Sequence, residues 1–80
     1  MEPANILQIG ASEQMRHSIR CLKQGGHRVF AVDRDPQAPG FADVEASAPL
    51  DITDADGITE FARCMKIDVL QPLKIGRAHV

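Results

Sequence analysis

Two residue types in the chain are placed where they could do chemistry, a glycine loop and an acid. Gly10 ends the short apolar run NILQI and leads into Ala11, Ser12, Glu13 and Gln14. A glycine between a strand and a helix N-terminus lets backbone N–H groups approach an anion. Asp33 closes a second apolar run, RVFAV, 23 positions after Gly10. That is close to the spacing at which a dinucleotide fold holds a ribose with an acid. The fingerprint itself is missing, because G-x-G-x-x-G is required and the chain reads GASEQM. No Gly-Lys-Ser/Thr follows either, so a Walker A loop is absent. Gly10 therefore reads equally well as a ligand loop and as a tight turn without a ligand. Asp33 stands directly before Arg34-Asp35-Pro36, and Pro39-Gly40 closes the same stretch. An acid in front of such a turn commonly accepts hydrogen bonds from nearby backbone N–H groups. The structural role is thus the stronger reading of Asp33, with a nicotinamide-dinucleotide site as the alternative.

The remaining polar residues offer less. His17 and His27 have no Cys, Asp or second His at ligand spacing. Asp51, Asp54 and Asp56 are dense enough to suggest a cation, yet they straddle a predicted helix start, where capping and the helix dipole account for them. No nucleophile–base–acid arrangement can be assembled. From these residues alone the expectation is no catalytic centre, no metal and no bound cofactor.

The elements that must position the loop and the acid follow from periodicity. Asn5–Ile9 and Arg28–Val32 read as buried strands, 47–50 as a weaker third and 67–70 as a fourth. Residues 13–24 carry Met15, Ile19 and Leu22 at helical spacing, with Ser12 as N-cap and Gly25-Gly26 as a left-handed stop. A second helix starts at 51–54, capped by Thr53 or Asp54, with Ile58, Phe61, Ala62 and Met65 on its apolar face. Gly57 inside it costs about 1 kcal/mol relative to alanine. The order β-α-β-β-α-β predicts an α/β, Rossmann-like three-layer fragment. Its parallel sheet has the order 3-2-1-4, with one main helix on each face. Ligands of such sheets bind outside the strand C-termini at the switch point, here between strands one and four.

Composition limits the partners. Eighty residues make one small domain, with a charged fraction of 25% and a formal net charge of −2. No basic stripe points to nucleic acid, no apolar run is long enough for a membrane, and no secretory signal opens the chain. Cys21 and Cys64 form no framework and suit a reducing cytoplasm.

The line from Ile6 to Pro72 resembles one family, and VDRDPQAPGFAD, DITD and KID carry the likeness most specifically. It is similar to the N-terminal, pre-ATP-grasp domain of ATP-grasp ligases of the carbamoyl-phosphate-synthase large-chain type. Many members have a second glycine where Ser12 stands. The resemblance implies an enzyme that joins a carboxylate to an amine or thiol through an acylphosphate made from ATP and Mg2+. It also implies that ATP and magnesium are held by later domains of the same chain. The first domain would then line the substrate side, with Gly10, Ala11, Ser12, Glu13 and Gln14 as contacts, and would be inactive alone. By the same resemblance the VDRDPQAPG turn is structural.

The chain ends in KIGRAHV, where another strand–helix loop is due. The adapter bases ATC GGA AGA GCA CAC GTC TGA translate as Ile-Gly-Arg-Ala-His-Val-stop, which matches residues 75–80. The expectation is an incomplete pre-ATP-grasp domain over 1–73 and a non-native tail of sequencing-adapter origin over 74–80. Two other classes stay open beside the ligase. One is an NAD(P)-binding oxidoreductase domain, which rests on Asp33. The other is a receiver-like interaction module, which would want acids where Gly10-Ala11-Ser12 stand.

Overall fold

The computed structural model describes residues 3–71, so Pro72, Leu73 and the proposed tail at 74–80 lie outside the described residues. Four parallel strands form one sheet: β1 (Asn5–Ile9), β2 (Arg28–Val32), β3 (Ala46–Ala48) and β4 (Val69–Gln71). Their order is β3-β2-β1-β4, the order expected from the crossovers. Two helices, α1 (Arg16–Gln24) and α2 (Ala55–Cys64), complete the α/β architecture. Register pairs Leu7 with Phe30 and Leu70, and Gln8 with Ala31 and Gln71.

Alternation along the strands separates two cores. Leu7, Phe30 and Val32 point to one face, where Ile58, Phe61 and Ala62 of α2 and Met65 at its C-cap pack on them. Val29 points to the other face and meets Met15 and Ile19 at the α1 end, with Leu22 beside them. Both helical stripes are the ones their spacing predicts. Leu7, Ile19, Val29 and Val32 are fully buried, as a parallel sheet covered on both faces requires.

Element boundaries differ from expectation in α1, β3 and β4. Residues 13–24 are not one α-helix, because Glu13–Met15 form a 3-10 turn before α1 begins. Ser12 caps that turn by its backbone conformation alone, with no side-chain bond. Strand β3 stops at Ala48, since Pro49 has no N–H for the ladder and the Leu50 N–H turns back to the Ala48 carbonyl. Strand β4 is set two residues later at its start, because the Ile67 N–H closes the end of α2 on Ala62. Among the described residues, no helix is long and apolar enough to cross a membrane.

Both helices end in the same motif. The N–H of Gly26 reaches the Lys23 carbonyl and that of His27 reaches Leu22, while Lys66 reaches Arg63 and Ile67 reaches Ala62. Each is a Schellman close, and each needs a left-handed residue at its centre. Gly26, not Gly25, takes that role after α1 (φ +94°), and Lys66 takes it after α2 (φ +56°). Asn5 supports the second close, donating from Nδ2 to the carbonyls of Lys66 (3.0 Å) and Met65 (3.3 Å). A side chain in the left-handed region costs about 1–2 kcal/mol, part of which glycine gives back as unfolded-state entropy. Lys66→Gly is therefore expected to stabilise the fold by about 0.5–1 kcal/mol, read as a shift in the urea midpoint.

Candidate functional site

The C-terminal ends of β1, β2 and β3 converge on a cleft of about 370 Å³ lined by Gly10, Asp33, Arg34, Asp51 and Ile52. Its floor comes from the first loop, and that loop is tied down by four hydrogen bonds. The Gly10 N–H donates to the Val32 carbonyl at 2.8 Å, with Gly10 itself in the left-handed region (φ +98°). The Ala11 N–H donates to Asp33 Oδ2 at 2.9 Å. The Ala11 carbonyl accepts from the Gly40 N–H at 2.7 Å. The Met15 N–H closes the 3-10 turn on the Ser12 carbonyl at 2.9 Å. Gly10, Ala11 and Gly40 are buried, so these bonds satisfy groups that water cannot reach.

Asp33 is the hub of this arrangement. Its Oδ1 accepts from the Asp35 N–H at 3.0 Å, which is the local bond that its place before the turn predicts. Its Oδ2 reaches back 22 residues to Ala11. The turn it opens continues through an Asp35–Gln37 bond and a 3-10 segment, Pro39–Asp43. Asp43 then pairs with Arg16 at 3.2 Å and Arg20 at 3.6 Å, fixing that segment to α1. The Arg16 guanidinium is held above its ordinary range, chiefly by this hydrogen bond to Asp43.

The opposite wall is the α2 approach. Asp51 Oδ1 accepts from both the N–H (2.9 Å) and the hydroxyl (2.7 Å) of Thr53. Those bonds, the backbone one first, hold its carboxyl below the usual carboxylate range, so it remains charged at neutral pH. Asp54 is the helix cap, accepting from the Gly57 N–H at 3.0 Å. Asp51 and Asp54 are thus bonded within the helix approach, and Asp56 stands in the first turn of α2. Among the described residues, no group of three or more His, Cys, Asp or Glu side chains could hold a metal ion. The glycine inside α2 also has a packing reason. A Cβ on Gly57 would lie 2.5 Å from Asp54 Oδ2 and 3.1 Å from Leu50 Cδ2.

Of the five expected contact residues, Gly10 lines the cleft and Ala11 is wholly buried. Ser12, Glu13 and Gln14 are exposed, and Glu13 pairs with Arg16 at 3.5 Å. Arg34 and Ile52 are cleft residues that the sequence did not single out, and they stand here with Asp51, expected only at the helix start. They lie in two loops far apart in the chain, and only the β2–β3 pairing brings those loops together. Arg34 is exposed and joins no ion pair among the described residues. His17 lies beside Cys21 at 3.5 Å on the outer face of α1, and His27 Nδ1 accepts from the Ala4 N–H at 3.0 Å. Neither histidine lines the cleft.

No protein-family model matches the chain, and no curated protein matches it. Solved structures do. N5-carboxyaminoimidazole ribonucleotide synthetase from Thermotoga maritima is 18% identical with a TM-score of 0.78, over 89% of this chain and 19% of that one. Glycinamide-RNase-transformylase T from Mycobacterium tuberculosis is 27% identical with a TM-score of 0.78, over 88% and 20%. The ADP complex of N5-carboxyaminoimidazole synthetase from Staphylococcus aureus gives 17% and a TM-score of 0.77, over 86% and 18%. The chain spans about a fifth of the length of the solved structures it matches.

Proposed function

We propose that this chain, whose fold is that of the N-terminal domain of ATP-grasp ligases, forms the substrate side of an ATP-dependent ligase of carbamoyl-phosphate-synthase-like type. The reaction would join a small carboxylate to an amine or thiol through an acylphosphate, in a cytoplasmic setting. The observation that carries the reading is the match of the whole 3-2-1-4 sheet to ATP-grasp ligases over nearly all of this chain. ATP and Mg2+ do not fit the described residues. Among the described residues no acidic cluster could hold the metal, and the Gly10 loop has its Ala11 N–H taken by Asp33. In this reading both belong to C-terminal ATP-grasp domains that follow this piece, which is inactive by itself. Gly10, Ser12, Glu13 and Gln14, with Arg34 across the cleft, are the proposed substrate contacts. Ala11, fully buried with its N–H on Asp33, supports the loop from beneath and is not counted among the contacts. An exposed guanidinium suits a carboxylate, which it can grip with two parallel hydrogen bonds.

The full-length gene in its source DNA tests the reading. It is expected to encode a glycine-rich ATP-binding segment, a lysine and paired carboxylates, and their absence would sink the proposal. The dinucleotide alternative rests on Asp33 alone, whose two oxygens each already accept one backbone N–H group. Titration with NAD or NADP is expected to show no saturable binding. A saturable isotherm would restore that alternative.

A further inference from the structure

We propose that Asp33 is a resident anion that closes the first loop to phosphate groups, so that the cleft selects a ligand lacking phosphate at this end. This rests on reading the cleft as the substrate side. In an open α/β sheet, the N–H groups after the first strand are where a ligand phosphate sits, and the acid after the second strand faces its sugar. Here those two groups are bonded to one another, Ala11 N–H to Asp33 Oδ2 at 2.9 Å. Neither Gly10 nor Ala11 has an N–H left to turn inward. Gly10 N–H is committed to Val32, and the Ala11 carbonyl is pinned by Gly40. A Cβ on Gly40 would come within 2.8 Å of that carbonyl oxygen, which shows how closely the two backbones are pressed together.

Charge acts in the same direction. Asp33 and Asp51 both line the cleft, against the single cation Arg34. An incoming phosphate would displace a carboxylate from Ala11 and then remain beside two acids. Repulsion between like charges at contact distance in a partly buried site is large compared with one hydrogen bond. A monocarboxylate carries less charge and can pair with Arg34 without displacing Asp33 from Ala11, and an amine can pair with the acids.

The test is an amide-resolved NMR titration of the chain with inorganic phosphate and with pyrophosphate at constant ionic strength. In the wild-type chain the Gly10, Ala11 and Ser12 amides are expected to show no saturable shift. In Asp33→Ala the same amides should shift saturably, with affinity at least about tenfold above any residual wild-type binding. Asp33→Asn keeps an acceptor without the charge and should fall between the two. Saturable phosphate binding at these amides in the wild type overturns the proposal, as does a folded Asp33→Ala with no gain. If neither variant folds, the wild-type chain decides. An Ala11 amide silent to phosphate and protected from exchange supports closure, and a shifted or rapidly exchanging one refutes it. Phosphate binding at the loop would leave the ligase reading standing, because that reading is tested by the ATP-carrying residues.

Discussion

Replacing Gly40 by valine is expected to destabilise the fold by about 3 kcal/mol, enough to leave so small a domain largely unfolded. The cause is the first loop. The Gly40 N–H donates to the Ala11 carbonyl at 2.7 Å. A Cβ at this position would sit 2.8 Å from that oxygen and 3.1 Å from both the carbonyl carbon and Cα of Ala11. All three are backbone atoms, so no side chain can rotate away. Ala11 has no room to retreat, being fully buried with its own N–H on Asp33. The Cβ alone makes the clash, so Gly40→Ala should already show most of the loss. Gly26→Ala is the control, because nothing lies within 4 Å of a Cβ there and only the left-handed φ is penalised. That variant should lose about 1 kcal/mol. Urea titration of the three variants separates the causes, and a Gly40→Val chain within about 0.5 kcal/mol of wild type would remove the close approach from the account.

The contrast between Gly40 and Asp33 shows what the sequence could and could not reveal. Asp33 before Arg34-Asp35-Pro36 announces a local bond, and the Asp35 N–H supplies it. Nothing in the sequence announces the second bond to Ala11, because a contact across 22 residues depends on β1 and β2 lying side by side in register. Gly40 carries only the weak signal of a Pro-Gly pair, whereas its function is close approach to another backbone. The strands and helices were legible because each has a strong local signature. Met15, Ile19 and Leu22 mark one face and Ile58, Phe61, Ala62 and Met65 the other, and each face meets the sheet as its spacing requires. Ends were less legible where one group overrules the pattern. Lys66 takes a glycine's conformation because Asn5, 61 residues away, holds its carbonyl. The cleft was least legible, since Arg34 and Ile52 owe their proximity to strand order and to no motif.

Replacing Gln8 by methionine is expected to stabilise the fold by about 1–2 kcal/mol, against the usual direction of core substitutions. Gln8 sits in the middle of β1 with no exposed surface. Its Nε2 reaches only the neighbouring Ile9 carbonyl, at 3.4 Å, and its Oε1 has no hydrogen-bond partner among the described residues. An amide oxygen buried in that way forgoes its water without replacement, at a cost of about 1–3 kcal/mol. Methionine has nearly the same length and no polar atom, and it adapts to irregular gaps. For a domain of this size the gain corresponds to a rise of about 4–8 °C in Tm per kcal/mol. Gln8→Glu should move sharply the other way, because it places a charge in the same fully buried volume. The pair of variants fixes the interpretation. A Tm that falls with methionine would mean that Oε1 has a donor in solution, and the neighbouring strand position, Gln71 of β4, would be the first place to look for it. A Tm that rises would mean that a parallel strand buried on both faces tolerates glutamine at a measurable cost to its stability.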